Sequence, residues 1–214
     1  MAIAMILAAA LLAQAGAPAA ATTKDRPARL RAAEARIVEG AREAGDPSKP
    51  ATKSLPSRAQ YLLPLEQDAA RQGPTRSFLS PVALEALEAH GCKPVISAAS
   101  GVARADGLLN GWRTVAECGD YLLDIQENDY RQALTQKVTV ILPAEAANID
   151  LGEGRAMARY YVSPEGAATT AISWTDDRQE LRLYAVSDPG KGGEKWNAGL
   201  KALAEKLVAG RRAR

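Results

Sequence analysis

The sequence is poor in the residues that most often carry chemistry. It holds one histidine, His90, two cysteines, one phenylalanine and 5% aromatics in all. A Ser-His-Asp triad would have to run through His90, and nothing near it supports one. His90 with Cys92 and Cys118 supplies too few ligands for a zinc site, and His90, two residues from Cys92, is a poor partner for a catalytic thiol. GxSxG and HExxH are absent. Gly190-Lys191-Gly192-Gly193 lacks the spacing and the hydroxyl of a phosphate loop, and reads as a flexible helix entry. No segment after the start reaches the roughly 18 consecutive apolar residues of a membrane helix. No cofactor or metal is expected.

The N-terminus carries the strongest targeting signal. Ile3 to Leu12 reads IAMILAAALL. A run of about ten apolar residues suits the core of a signal peptide and is too short to span a bilayer. Small residues follow, with Ala13-Gln14-Ala15 and Ala19-Ala20-Ala21 as cleavage sites, although no Lys or Arg precedes the run. The expected organisation is a signal peptide over 1–21, an N-terminal helix and Pro/Ser/Lys-rich linker over 22–60, and a single domain over 61–214. The expected location is periplasmic or secreted. In such a compartment Cys92 and Cys118 favour a disulfide, closing a loop worth about 3 kcal/mol by chain entropy.

The formal charge of +2 is unevenly spread, at +4 over 22–60, −5 over 61–150 and +3 over 151–214. The small net value and the export signal argue against nucleic-acid binding. Mixed charge of this kind fits a solvated surface.

Helical signals are four. Arg29–Ala44 carries Leu30, Ala33, Ile37, Val38 and Ala41 on one stripe. Asp46–Arg58, with three prolines, is a linker, which makes that helix a mobile extension. Leu62–Gln72 is a shorter helix. Ser80 as N-cap, Pro81 at the first turn and Gly91 at C′ frame another, with His90 in its last turn. The last starts near Glu194, with Trp196, Leu200, Leu203 and Leu207 as an apolar stripe and Arg211, Arg212 and Arg214 solvated at its end.

Strand signals form two systems. Asn110-Gly111 predicts a tight hairpin turn, with Leu109 opposite Trp112, Arg104 opposite Glu117 and Ala103 opposite Cys118. The incoming strand should bend near Ser97–Gly101. Lys137–Leu142 is a further strand. Arg155–Ser163, Ala167–Trp174 and Glu180–Val186 form a meander around Pro164-Glu165-Gly166 and Asp176-Asp177. Its register gathers Ala156, Ala158, Tyr160, Trp174, Ile172, Leu181, Leu183 and Ala185 on one face. The expected fold is α+β, an antiparallel sheet of five to six strands with helices packed on one face.

The opposite face of the meander is the candidate site. Its rows place Tyr161, Thr169 and Tyr184 together, and Arg159, Ala171 and Arg182 together. Arginine pairs with carboxylate or phosphate, and tyrosine offers a ring and a hydroxyl. Arg159, Tyr161, Tyr184 and Arg182 are therefore the expected ligand-binding residues, the alternative being that the Arg29–Ala44 helix covers this face. The leading function is that of a non-enzymatic binding or accessory protein of the cell envelope. It would take a protein, a peptide or an anionic envelope ligand, and would touch the membrane only through the signal peptide. A small hydrolase using Asp120 and Asp124, within the acidic run that continues to Glu127 and Asp129, is the competing class. A structural envelope subunit is the third.

Overall fold

The computed structural model describes residues 26–44, 51–72, 76–77, 79, 83–103, 106–130, 146–152, 154–176, 179–192 and 194–213. The signal-peptide segment, Ser80, Pro81, Arg104 and the Lys137–Leu142 strand lie outside the described residues. The elements run α1 (Arg26–Ala44), β1 (Ala51–Thr52), α2 (Arg58–Gln72), α3 (Ala83–Ala89), β2 (Lys93–Ala103), β3 (Leu109–Glu117) and β4 (Tyr121–Asp129). They continue β5 (Ile149–Asp150), β6 (Arg155–Val162), β7 (Ala168–Thr175), β8 (Gln179–Ser187) and α4 (Glu194–Arg212).

The class is α+β, and the sheet is larger than expected, with eight strands among the described residues in the order β1-β6-β7-β8-β4-β3-β2 and β5 beside β6. Among the described strands every pairing is antiparallel except β1 with β6, and Ser77 adds an isolated parallel bridge to Leu109. The two extra pieces, β1 and β5, are two residues each, too short to show any periodicity. Two meanders, β2-β3-β4 and β6-β7-β8, join along β4 and β8 through nine residue pairs from Tyr121↔Ser187 to Asp129↔Gln179.

Helices cover both faces rather than one. On the first face α4 sets Leu200, Leu203, Ala204, Leu207 and Val208 into a core with Leu123, Ile125, Ile172, Trp174, Leu181 and Leu183. Each fully buried Leu there contributes about 1.5–3 kcal/mol. The helix α3 adds Ala83 and Leu87. It ends as expected, with Gly91 at φ +73°, its N–H donating to Glu88 O and that of Cys92 to Leu87 O. Cys92 is joined to Cys118.

The second face is covered by α1 and α2. The helix α1 is docked, not a mobile extension: Ile37, Val38 and Ala41 pack with Ala146 and Met157. Much of the expected linker is structured too. The strand β1 lies in it, and Lys53 N–H donates to Val162 O. The helix α2 starts earlier than expected because Ser57 and Gln60 cap it reciprocally. Gln60 N–H donates to Ser57 Oγ and Ser57 N–H to Gln60 Oε1.

The first hairpin does not turn at Asn110-Gly111. Those residues lie inside β3, where Ser100 faces Gly111 and Ala99 faces Trp112. Asn110 is fully buried. Its Oδ1 accepts from Val102 N–H at 2.6 Å and its amide donates to Asp129 O at 3.3 Å. The Gly111 position is equally close-packed, since a Cβ there would collide with Asn128 Oδ1. The turn falls instead at Asp106-Gly107, where Leu108 N–H donates to Asp106 Oδ1 and Gly107 has φ +81°. Glu117 consequently faces Lys93, and Ala103 faces Leu109. The expected bend in β2 is present as a register shift between Ser100 and Ala103, with Gly101 at φ +93°.

The β6–β7 register matches expectation, with Tyr161↔Thr169 and Arg159↔Ala171. The β7–β8 register is two residues off: Ala171 faces Tyr184 and Ser173 faces Arg182. The turn sits one residue later, so pairing persists to Asp176 and Gln179. A shift of two preserves every face assignment, because side chains alternate with period two. Arg211 is buried rather than solvated, at 4% exposure, and lies 3.8 Å from the buried Glu127. Arg212 stacks over Trp174.

Candidate ligand face

The second face reads in rows across five strands. One row is Arg159, Ala171, Tyr184, Asp124 and Val115. The next is Met157, Ser173, Arg182, Gln126 and Arg113, and on the other side lie Tyr161, Thr169, Val186 and Leu122. All four expected ligand residues share this face, with Tyr184 in the arginine row rather than beside Tyr161. The face is not open, because the two helices stand on it.

At its centre is a polar cluster. Asp124, 2% exposed, accepts from Arg113 Nε at 2.8 Å and from the same guanidinium's second nitrogen at 2.5 Å. The Tyr61 hydroxyl of α2 donates to Asp124 Oδ2 at 2.7 Å, and its ring stacks on Tyr184 with centroids 4.9 Å apart. Burial, then the Asp124 charge, holds the Tyr61 phenol well above its usual range. Burial pushes Tyr184 up to about 12. Burial works against the Arg113 charge, but its bonds to Asp124 outweigh that and keep the guanidinium above its ordinary value. Sequence reasoning missed Tyr61 and Arg113. Pairing β3 with β4 about the turn at Gly119 and Asp120 would have placed Arg113 near Asp124, but nothing in the α2 sequence marked Tyr61 as a partner.

The expected residues differ in what they touch. Arg182 is held by Glu180, which also accepts from Asn128 and Tyr130. Tyr161 is half-buried with the Lys53 ammonium 5.5 Å from its ring centre. Arg159 lies under α1, where a Cβ on Gly40 would sit 3.1 Å from its Nη2. That nitrogen meets Met157 Sδ at 3.4 Å, a weak acceptor. Its Nε is buried without a hydrogen bond, and Arg159 meets no carboxylate among the described residues. A shallow cleft of about 390 Å³ opens nearby between Ser57, Arg58 and Leu62 of the α2 entry and Glu117, Leu122 and Asp188. Arg58 there donates to Asp188 Oδ2 and Gly119 O.

The carboxylate pair of the hydrolase reading does not assemble. Asp120 is exposed in the turn before β4 and pairs with Lys191 at 3.2 Å, while Asp124 is buried and ion-paired. Glu127 points to the first face, where one oxygen lies 3.8 Å from Arg211 and the other accepts from Ala83 N–H. Alternation along β4 separates Asp124 from Glu127, since even-numbered positions face α2 and odd-numbered ones face the core, while Asp120 lies before the strand begins. Among the described residues no cluster of His, Cys, Asp and Glu could hold a metal, and no helix is long and apolar enough to cross a membrane. Gly190 and Gly192 are exposed, and each has one fixed neighbour on the β6–β7 hairpin. A Cβ on Gly192 would collide with that of Ala168, and Gly190 N–H donates to Gly166 O. His90 is exposed at the end of α3.

Compared with known protein families, curated proteins and solved structures, the chain matches none.

Proposed function

We propose that this chain is an exported, non-enzymatic binding or accessory protein of the cell envelope, released from a signal peptide over 1–21. Its partner would be a protein, peptide or other ligand presenting an anionic group, and it would dock at the β6 side of the second face. Arg159 would take the anion, Tyr161 would supply a flat contact, and Arg182 and Tyr184 would flank them. The observation that carries this reading is Arg159. The Arg159 guanidinium has a buried Nε without a hydrogen bond and meets no carboxylate among the described residues, so it is a cation without a counter-charge among them. The disulfide agrees with an oxidising compartment. The other arginines on this face, Arg113 and Arg182, are already matched by carboxylates.

The test is photo-crosslinking in the native cell from a probe at Tyr161, which is half-exposed where Tyr184 is stacked under Tyr61. A discrete adduct that disappears with Arg159→Ser supports docking there. The reading fails if the folded protein, recovered from the envelope fraction, yields no adduct, or yields one indifferent to Arg159→Ser.

A further inference from the structure

The two edges of the sheet are built differently. The β1 edge is two residues long, with Pro50 before it and Lys53 after it. Short length, proline and lysine are the usual guards against edge-to-edge pairing. The β2 edge is eleven residues long, and from Val95 to Ala103 it carries neither charge nor proline. Among the described residues no strand pairs with its outer side. Val95 is 40% exposed, one of two large apolar side chains so exposed among the described residues, and Ser97, Gly101 and Ala103 are exposed with it.

We infer that the β2 edge is the interface with a second copy of this chain, the two β2 strands pairing antiparallel about a two-fold axis at Ala98. Charge and size select the occupant. A charged strand laid here would find no counter-charge along nine residues, whereas β2 laid on itself matches neutral to neutral. The strand β7 is as free of charge but is already paired on both sides. An axis normal to the sheet at Ala98 sets Ser97 opposite the partner copy's Ala99 and Ile96 opposite its Ser100. Side chains of like face therefore meet, as antiparallel pairing requires. The small residues Ser97–Ser100 let the strands close without clash. The same axis carries the two Lys93 side chains to opposite ends of the joint, roughly 33 Å apart by strand rise, beyond screening range. The result is one continuous sheet through both copies.

The test is sedimentation velocity on the purified chain with its disulfide intact, over a micromolar concentration series. The expected result is a concentration-dependent dimer. Ser97→Lys and Ser97→Glu place like charges about 7–8 Å apart on the diagonal of the joint, so each variant alone should run as a monomer with unchanged circular dichroism. An equimolar mixture of the two should return to dimer, which a folding defect would not produce. The inference is overturned by a wild-type chain that stays monomeric throughout, by a dimer indifferent to both substitutions, or by a mixture that fails to reassociate.

Discussion

The two faces of this sheet are held by different physics. On the first, α4 and α3 meet the strands through Leu, Ile, Ala and Trp174 packed to near-zero exposure. On the second, α2 is anchored by the buried Tyr61–Asp124–Arg113 node, by Arg58 bound to Asp188 and Gly119, and by one ring stack, while α1 rests on a small apolar cluster around Met157. Apolar burial adds up over area and fails all at once. A buried ionic node concentrates its contribution in a few directional bonds, and its loss leaves an unmatched charge behind. The first face should therefore set the global stability, and the second should set how firmly the helices sit.

Three perturbations sharpen that contrast. Leu203→Ala opens a cavity in the first-face core and is expected to cost about 4 kcal/mol. Chemical denaturation should then show one shifted transition, with tryptophan fluorescence and far-ultraviolet dichroism moving together. Asp124→Ala leaves Arg113 and Tyr61 without their acceptor and is expected to cost about 3 kcal/mol. Here hydrogen exchange should report loss of protection in α2 before the strands; equal loss across the molecule would erase the distinction between the faces. The smallest effect is alkaline. Burial raises the Tyr61 and Tyr184 phenols above their unfolded value near 10, with Tyr184 at about 12. A group whose folded pKa is raised binds more protons in the native state. Its stabilisation is therefore complete below pH 10 and is lost as pH rises beyond that, through about 12 for Tyr184. Tyr61→Phe keeps the stack on Tyr184 and removes one titrating phenol, at a cost of about 1.5 kcal/mol near neutrality. The slope of stability against pH above 10 should be shallower in Tyr61→Phe than in wild type.

What could be read from the sequence follows from which interactions are local. The alternation of β6, β7 and β8 assigned every side chain to its proper face even where the β7–β8 register was two residues off, because parity survives such a slip. The Gly91 cap and the α4 stripe were legible because their partners lie within one turn or one helix face. Asn110-Gly111 misled because the turn signal is local while the deciding bonds are not. The Asn110 amide is satisfied by Asp129, nineteen residues away. Arg211 read as a solvated terminal charge because only the fold brings Glu127 beneath it. Arg159 and Tyr184 were placed on the right face, but α1 and α2 arrive over them through contacts at Gly40 and Tyr61 that no periodicity announces.

The position of α4 has a consequence for how the molecule is made. Its leucines cover strands from both meanders at once, touching the core that Leu123 and Ile125 share with Leu181 and Leu183. Both meanders are synthesised before it. A growing chain can form the β2–β3–β4 and β6–β7–β8 ladders from neighbouring residues, yet with α3 alone in place much of their shared apolar side lacks its cover until α4 follows. Until then the nascent polypeptide exposes apolar surface prone to aggregation, and the core closes in one late event.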